Sequence, residues 1–378
     1  MHDIWQINLQ RHFGGGEVYT AFFCRALAAL GVRSHVLIHP QADFWSRLNL
    51  PHETELIRVD AAERLADYLP DRPIWLLSHG PLPRALLTPR HAHWLRTAIA
   101  HMPVQGRNPH AFADHDIIYP VSEWVRSGLL AAGLPAWSAA LYGVADLDPR
   151  DDRHTIHRHS RYDWDRRKGR DRMLGWLEPL AEALRPHPEF QRLPQLTLGI
   201  VSRLTPIKQF PHLFAELAPV LARHPQVRLE IFGSGGYASV RDLDRALRPI
   251  RAQVRFWGQQ RHVAPLYRQL DYLLAGLPEK EALGLNIIEA QTCGLPVLAV
   301  GHPPFTETVV DGLTGHFYRD PRQDRGADFE RLLRQLQTER PALQPAAAEA
   351  HLQRFSFPAF VARIESVVEA ARSALQQR

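Results

Sequence analysis

Short apolar runs alternate along the chain with segments whose apolar positions recur every three or four residues. The first kind fits strands buried on both faces, the second amphipathic helices. On this pattern residues 4–9 form a strand, 11–16 a glycine-rich loop and 17–30 a helix. Val18, Phe22, Ala26 and Leu30 recur at every fourth position and make the inward stripe of that helix, which Gly31 stops. Strands follow at 34–39, 74–78 and 96–101. Residues 117–121 lead into a helix that the Ser122 hydroxyl caps, and 139–144 read as the last strand and turn of this half. The second half repeats the scheme, with strands at 196–201, 227–231, 271–275 and 296–300 and a closing helix over 357–375. Strand–loop–helix repeats predict an α/β protein with mostly parallel sheets. A length of 378 residues suits two domains, each with its own core.

Open α/β sheets bind ligands outside the carboxyl ends of their strands, so the loops there are where chemistry is sought. The segment Glu281-Ala-Leu-Gly-Leu-Asn-Ile-Ile-Glu289 lies between the strands at 271–275 and 296–300, and Gly294 ends its helix. Glu281 falls in the loop and Glu289 about one turn into the helix, so both can face one crevice. An ionised carboxylate only accepts hydrogen bonds and can take two at once, which suits sugar or ribose hydroxyls. One exposed loop carboxylate and one on a helix surface is the bland alternative. Gly14, Gly15 and Gly16 sit between a strand and a helix, where backbone amides and the helix dipole favour an anion. A tight turn explains them equally well. Neither this loop nor Phe232-Gly-Ser-Gly-Gly236 has the G-x-G-x-x-G spacing, which disfavours a nicotinamide enzyme.

Glu-x7-Glu followed by Cys293-Gly-Leu-Pro-Val297 resembles the nucleotide-sugar motif of the family 4 retaining glycosyltransferases. Ser202-Arg203 with Lys208, the 232–236 glycine loop, Val254-Arg-Phe-Trp-Gly258 and Val309-Val-Asp-Gly-Leu-Thr-Gly315 follow in the family's order. The resemblance implies the GT-B fold: two Rossmann-like domains facing a central cleft, with Gly14–Gly16 opposite Arg203 and Lys208. It implies boundaries at 1–147 for an acceptor domain, 148–194 for a charged insertion, 195–355 for a nucleotide-sugar domain and 356–378 for a helix crossing back. It implies a nucleoside-diphosphate sugar as donor, a glycan or lipid-linked acceptor, no cofactor and no metal. By the same resemblance Arg203 and Lys208 face the diphosphate, Glu281 the transferred sugar and Glu289 the ribose. The amides of Leu285 and Asn286 would bind phosphate, and Gly233, Gly235 and Gly284 would join the substrate-binding set. His101 would lie close to the reacting sugar, with His79 its competitor. Ala282 and Leu283 replace the commoner Gly-Phe, and 302–307 departs from the usual Gly-Gly before the later Glu, which leaves the sugar open. A GT-B epimerase or phosphorylase and a catalytically silent sugar-nucleotide-binding partner are the alternatives.

The charge of +5 and a pI near 9.4 ask for an anionic partner. The donor supplies one and an anionic membrane surface another, while solvated arginines are the bland default. No nucleic-acid motif accompanies the charge. No run of 18 apolar residues appears, and the start lacks the basic and apolar regions of a signal peptide. With Cys24 and Cys293 in apolar helical contexts, these features predict a cytoplasmic protein, at most peripheral at the inner membrane face. Asp146-Leu-Asp148 and His154-x-x-His157-x-His159 have metal-like spacing, but both read as solvated loop.

Overall fold

The computed structural model describes every residue except 1–2, 12, 89–90, 105, 146, 152–155, 165–168, 184–188, 193 and 340–341. Asp146, Asp152, His154, Arg166, Arg167 and Lys168 therefore lie outside the described residues. Two compact units divide the chain: Met1–Val144 with Gln353–Arg378, and Ala145–Leu352.

The first unit is built on a parallel sheet of β1 (Asp3–Asn8), β2 (Arg33–Ile38), β3 (Thr54–Arg58), β4 (Trp75–Ser78), β5 (Leu95–Ala100) and β6 (Ile117–Pro120), in the order β3-β2-β1-β4-β5-β6. The second unit has β7 (Thr197–Val201), β8 (Arg228–Phe232), β9 (Val254–Gly258), β10 (Tyr272–Leu274), β11 (Val297–Val300) and β12 (Gly315–Tyr318), in the order β12-β11-β10-β7-β8-β9. Read from its other edge this is the same doubly wound order. Each sheet therefore has a switch point, between β1 and β4 and between β7 and β10, where loops on either side part and a crevice opens.

Helix α1 (Gly15–Ala29) follows β1, and α2 (Glu123–Ala131) follows β6, with the Ser122 hydroxyl accepting from the Val125 amide at 3.1 Å. Helix α3 (Gly169–Ala183) precedes the second sheet. The helices α4 (Phe210–Ala222), α5 (Tyr237–Ala246), α6 (Ala264–Tyr267) and α7 (Leu285–Thr292) connect its strands; α8 (Phe305–Thr308), α9 (Pro321–Asp324), α10 (Ala327–Thr338) and α11 (Glu349–Gln353) complete the unit. Helix α12 (Phe357–Gln376) returns to the first unit. Its Phe360, Ile364, Val367, Val368 and Ala371 recur at helical spacing and are buried, with Phe360 edge-on to Tyr19 of α1 at 5.4 Å. Burying each of the larger of these side chains stabilises by roughly 1.5–3 kcal/mol.

One expectation changes and other features were not foreseen. Residues 139–144 carry no strand; they pass beside β6, where the Leu141 amide donates to the Pro120 carbonyl at 2.7 Å. The strands β3 and β12 were not foreseen, because Thr54–Arg58 is mostly half-buried and mixed in polarity and Gly315–Tyr318 is only four residues long. The described part of the charged insertion packs on the second unit. Ile156 and Phe190 are buried against Phe232 and Trp257, the His159 amide donates to the Trp257 carbonyl at 2.8 Å, and Tyr162 bridges to Gly235. The strap so formed closes over the carboxyl ends of β8 and β9. Gly258 makes room for it, since a Cβ there would stand 2.5 Å from the His159 carbonyl oxygen.

Candidate functional site

In the second unit the chain after β7 stays pinned to the chain after β8: the Ser202 amide donates to the Phe232 carbonyl at 3.0 Å and the Leu204 amide to the Ser234 carbonyl at 2.8 Å. Gly233, at φ +152°, and Gly235 make this possible, because a Cβ on either would fall 1.8 Å from the Ser202 oxygen or 2.1 Å from the Leu204 oxygen. Close approach of two loops thus requires both glycines, whatever ligand they meet. Arg203 stands exposed on this paired segment.

Lys208 is held across the switch point. Its carbonyl accepts from the Leu277 amide at 3.2 Å, and Gly276 allows the approach, with a Cβ there only 2.3 Å from the same carbonyl oxygen. Its ammonium forms an ion pair with Glu281 and lies 3.5 Å from Asn286 Oδ1. Asn286 is fixed in turn, donating through Nδ2 to the Val201 carbonyl at 3.1 Å. Helix α7 opens at Leu285 after Gly284, whose φ of +87° lets the loop turn sharply into the helix. The amides of Leu285 and Asn286 occupy the first turn, where backbone donors have no intrahelical partner and point towards an anion. One turn on, Glu289 accepts from the Tyr267 hydroxyl at 3.2 Å through Oε2. Burial raises the Glu289 carboxyl above its ordinary pKa, against the opposing effects of the Tyr267 hydrogen bond and the nearby Lys208 charge. Lys208, Glu281, Asn286 and Glu289 therefore converge on one edge, with Arg203 earlier in the same β7–α4 loop as Lys208. The site offers a cation, helix amides and two carboxylates, a set suited to a diphosphate flanked by hydroxyl-bearing rings.

The strap adds residues that the sequence did not single out. Ser234 donates to Asp163 at 2.6 Å, and the Asp163 amide donates to the Gly235 carbonyl at 2.8 Å. Tyr162 stacks between Trp164 and Tyr237. Tyr267 also escaped notice; an aromatic on a four-residue helix carries no sequence mark of its hydrogen bond to Glu289.

In the first unit Gly14 caps α1 in extended backbone, and Gly15 and Gly16 form its first turn. His79 follows β4 and His101 follows β5. The two histidines are one unit: His79 Nδ1 and His101 Nε2 are 3.0 Å apart and their rings stack at 5.3 Å. His101 lies against Gly16, where a Cβ would come within 4.0 Å of its ring. Burial holds His101 down to about 4 and His79 well below its usual value, the latter further depressed by the His101 charge. Gln6 and Thr20 complete the cluster and were missed. Gln6 stands in the middle of an apolar strand, and an amide in such a run is the one hint the sequence held. Among the described residues no group of three or more His, Cys, Asp or Glu side chains is placed to hold a metal.

This architecture is shared with solved structures. Anabaena HepE in complex with UDP and glucose superposes with a TM-score of 0.68 at 17% identity, covering 98% of this chain and 100% of that one. Sucrose-phosphate synthase from Thermosynechococcus elongatus gives 0.69 at 14%, covering 99% and 100%. The fold is GT-B. Residues 195–338 match the family described as "Glycosyl transferases group 1". D-inositol 3-phosphate glycosyltransferase of Rhodococcus erythropolis is 32% identical over 175 residues, which is 43% of this chain and 38% of that protein. That of Mycobacterium bovis is 31% identical over 168 residues, 42% and 34% respectively. The match thus spans well under half the length of these curated relatives. The similarity to glycosyl transferases group 1 thus lies in residues 195–338, within the second unit.

Proposed function

We propose that the protein is a retaining, metal-independent glycosyltransferase that moves a sugar from a UDP-sugar to a glycan or lipid-linked acceptor. The observation that carries this reading is the convergence of Lys208, Glu281, Asn286 and Glu289 at the β7–β10 switch point, on the first turn of α7. Arg203 and Lys208 would stabilise charge growing on the diphosphate as the sugar–phosphate bond breaks. Glu281 would meet the transferred sugar, and Glu289 the ribose through the oxygen that Tyr267 leaves open. In a front-face reaction the departing phosphate takes the acceptor hydroxyl's proton, so no protein nucleophile is needed. The first unit would hold the acceptor, with Gly14, Gly15, Gly16 and His101 lining its binding site. UDP as the donor's nucleotide is supported by its presence in the HepE complexes.

The acceptor is read as membrane-borne because α3 is inside out. Asp171, Gly175 and Glu178 face inward, with Glu178 accepting from Trp164 Nε1 at 3.0 Å, while Met173, Trp176 and Leu177 are exposed. Arg172 is exposed beside them, and Arg166, Arg167, Lys168 and Arg170 precede it in sequence, a composition suited to an anionic bilayer. The protein would then work at the inner face of the membrane. No helix among the described residues is long and apolar enough to cross one.

The deciding experiment measures UDP release from a panel of UDP-sugars with and without membrane extract as acceptor, in EDTA. Acceptor-dependent release with sugar incorporated is expected. Binding without turnover would favour the silent partner, interconversion of the free donor sugar the epimerase, and activity only with added divalent metal would end the metal-independent reading.

A further inference from the structure

Beneath the loops that follow β1, β4 and β5 lies a closed chain of buried polar groups, and its hydrogen bonds fix where each proton resides. Gln6 is fully buried in β1 and donates through Nε2 to Ser34 Oγ at 3.2 Å and Cys24 Sγ at 3.4 Å. Its Oε1 therefore faces His79 Nε2, at 3.0 Å. An amide oxygen only accepts, so His79 carries its proton on Nε2 and its Nδ1 is a lone pair. Two groups reach that lone pair, the Thr20 hydroxyl at 3.1 Å and His101 Nε2 at 3.0 Å. The single Thr20 hydroxyl hydrogen goes to the Gly16 carbonyl at 2.9 Å, and Asn8 Nδ2 donates to the Thr20 oxygen at 3.0 Å. The proton between the histidines therefore belongs to His101 Nε2.

We propose that His79, oriented by Gln6, is a positioning residue that keeps His101 in its Nε2-protonated tautomer and presents His101 Nδ1 as the acceptor for a ligand hydroxyl. Among the described residues Nδ1 makes no hydrogen bond, while Gly16 and the edge of Tyr19 at 5.1 Å hold the ring in place. Both rings are kept neutral by burial, so the tautomer, rather than a charge, sets what His101 can recognise. A hydroxyl that donates is accepted, and a carbonyl or phosphate oxygen at the same place is repelled by the lone pair. Partners that fix the tautomer of metal-bound histidines typically change affinity or activity by roughly tenfold to a hundredfold, and an effect at the lower end of that range is expected here. That the hydroxyl belongs to a sugar rests on the glycosyl-transfer reading; the tautomer does not.

The test is nitrogen-15 NMR of the histidine rings in the full-length protein, with the His101 signal among 21 histidines assigned by its loss in His101→Asn. The wild type should show a protonated Nε2 and an unprotonated Nδ1 for His101. His79→Phe keeps a ring of similar volume but removes the acceptor; it should shift His101 towards a mixture of tautomers and lower kcat/KM by about tenfold or more. His79→Gln, whose amide oxygen can accept, should restore part of both. Circular dichroism establishes that each variant is folded. A wild-type His101 protonated on Nδ1, or unchanged ring shifts in His79→Phe, would overturn the positioning role. A changed tautomer with undiminished kcat/KM would overturn the ligand contact. If no sugar is transferred at all the NMR arms still decide, so failure of the proposed activity and failure of this inference are separable.

Discussion

At Gly233 the second unit depends on one missing methyl group. A Cβ there would meet the Ser202 carbonyl oxygen at 1.8 Å, and φ is +152°. Gly236, three residues on, has φ −61° and open space around the Cβ position. Gly233→Ala should therefore cost at least about 3 kcal/mol in urea unfolding, while Gly236→Ala should stay within about 0.5 kcal/mol. Equal effects would mean that the β7 and β8 loops are not clamped together as described. The neighbouring cations test chemistry rather than folding. Arg203→Ala and Lys208→Ala should each lower turnover by roughly a hundredfold, about 3 kcal/mol, if they face charge that grows in the transition state. Lys208→Ala should also lose stability, because Glu281, only 13% exposed, is left without its ion-pair partner. Glu289→Ala should instead raise the donor KM with little change in kcat, since a ribose contact is alike in ground and transition states. Near-normal kcat/KM in both cation variants with every donor would remove the diphosphate assignment.

At the scale of elements, legibility followed burial. The mostly buried strands, such as Thr197–Val201 and Leu95–Ala100, were readable because both faces are largely covered. Helix α7 was legible from Gly284 and Gly294, which start and stop it. Thr54–Arg58 was not, because an edge strand with one wet side lacks that run. The Lys208–Glu281 pairing joins residues 73 apart in sequence, and no local pattern encodes it. The histidine pair shows the same limit: each of His79 and His101 could be placed at a strand end, but their contact is set by the β4–β5 register. The strap was read as charge, because its order comes from stacking of Tyr162 with Trp164 and Tyr237. That anchoring sharpens the membrane test. Trp164 is an inner residue and Trp176, 74% exposed, an outer one. Trp176→Ser and Met173→Ser should weaken co-sedimentation with anionic liposomes and leave UDP-sugar affinity unchanged, whereas Trp164→Ala should loosen the strap and reduce both. Unaltered liposome binding in the outer variants would show that α3 does not meet lipid.

For the whole molecule, the two units should respond to mild acid to different degrees. In the first, burial holds His79, His101 and His115 below the usual histidine range, with His101 at about 4. The unfolded chain then takes up protons first as pH falls below about 6.5. The stability these groups contribute is complete above that value and is lost as pH drops towards the folded pKa. For His101 alone the loss should reach about 2 kcal/mol by about pH 5. In the second unit His316 acts in the same direction, but the raised carboxyl of Glu289 opposes it: there the folded state holds the proton more tightly, so mild acid relieves a penalty. The first unit should therefore soften before the second. Hydrogen exchange followed by mass spectrometry, corrected for the intrinsic pH dependence of exchange, reads the two sheets separately. Between about pH 7 and pH 5 protection should fall in peptides spanning β1, β4 and β5 more than in those spanning β7, β8 and β10. The double variant His79→Gln, His101→Gln should abolish most of the difference. Parallel loss of protection in both sheets, or a difference that persists in the double variant, would show that the buried histidines do not set the acid response of the fold.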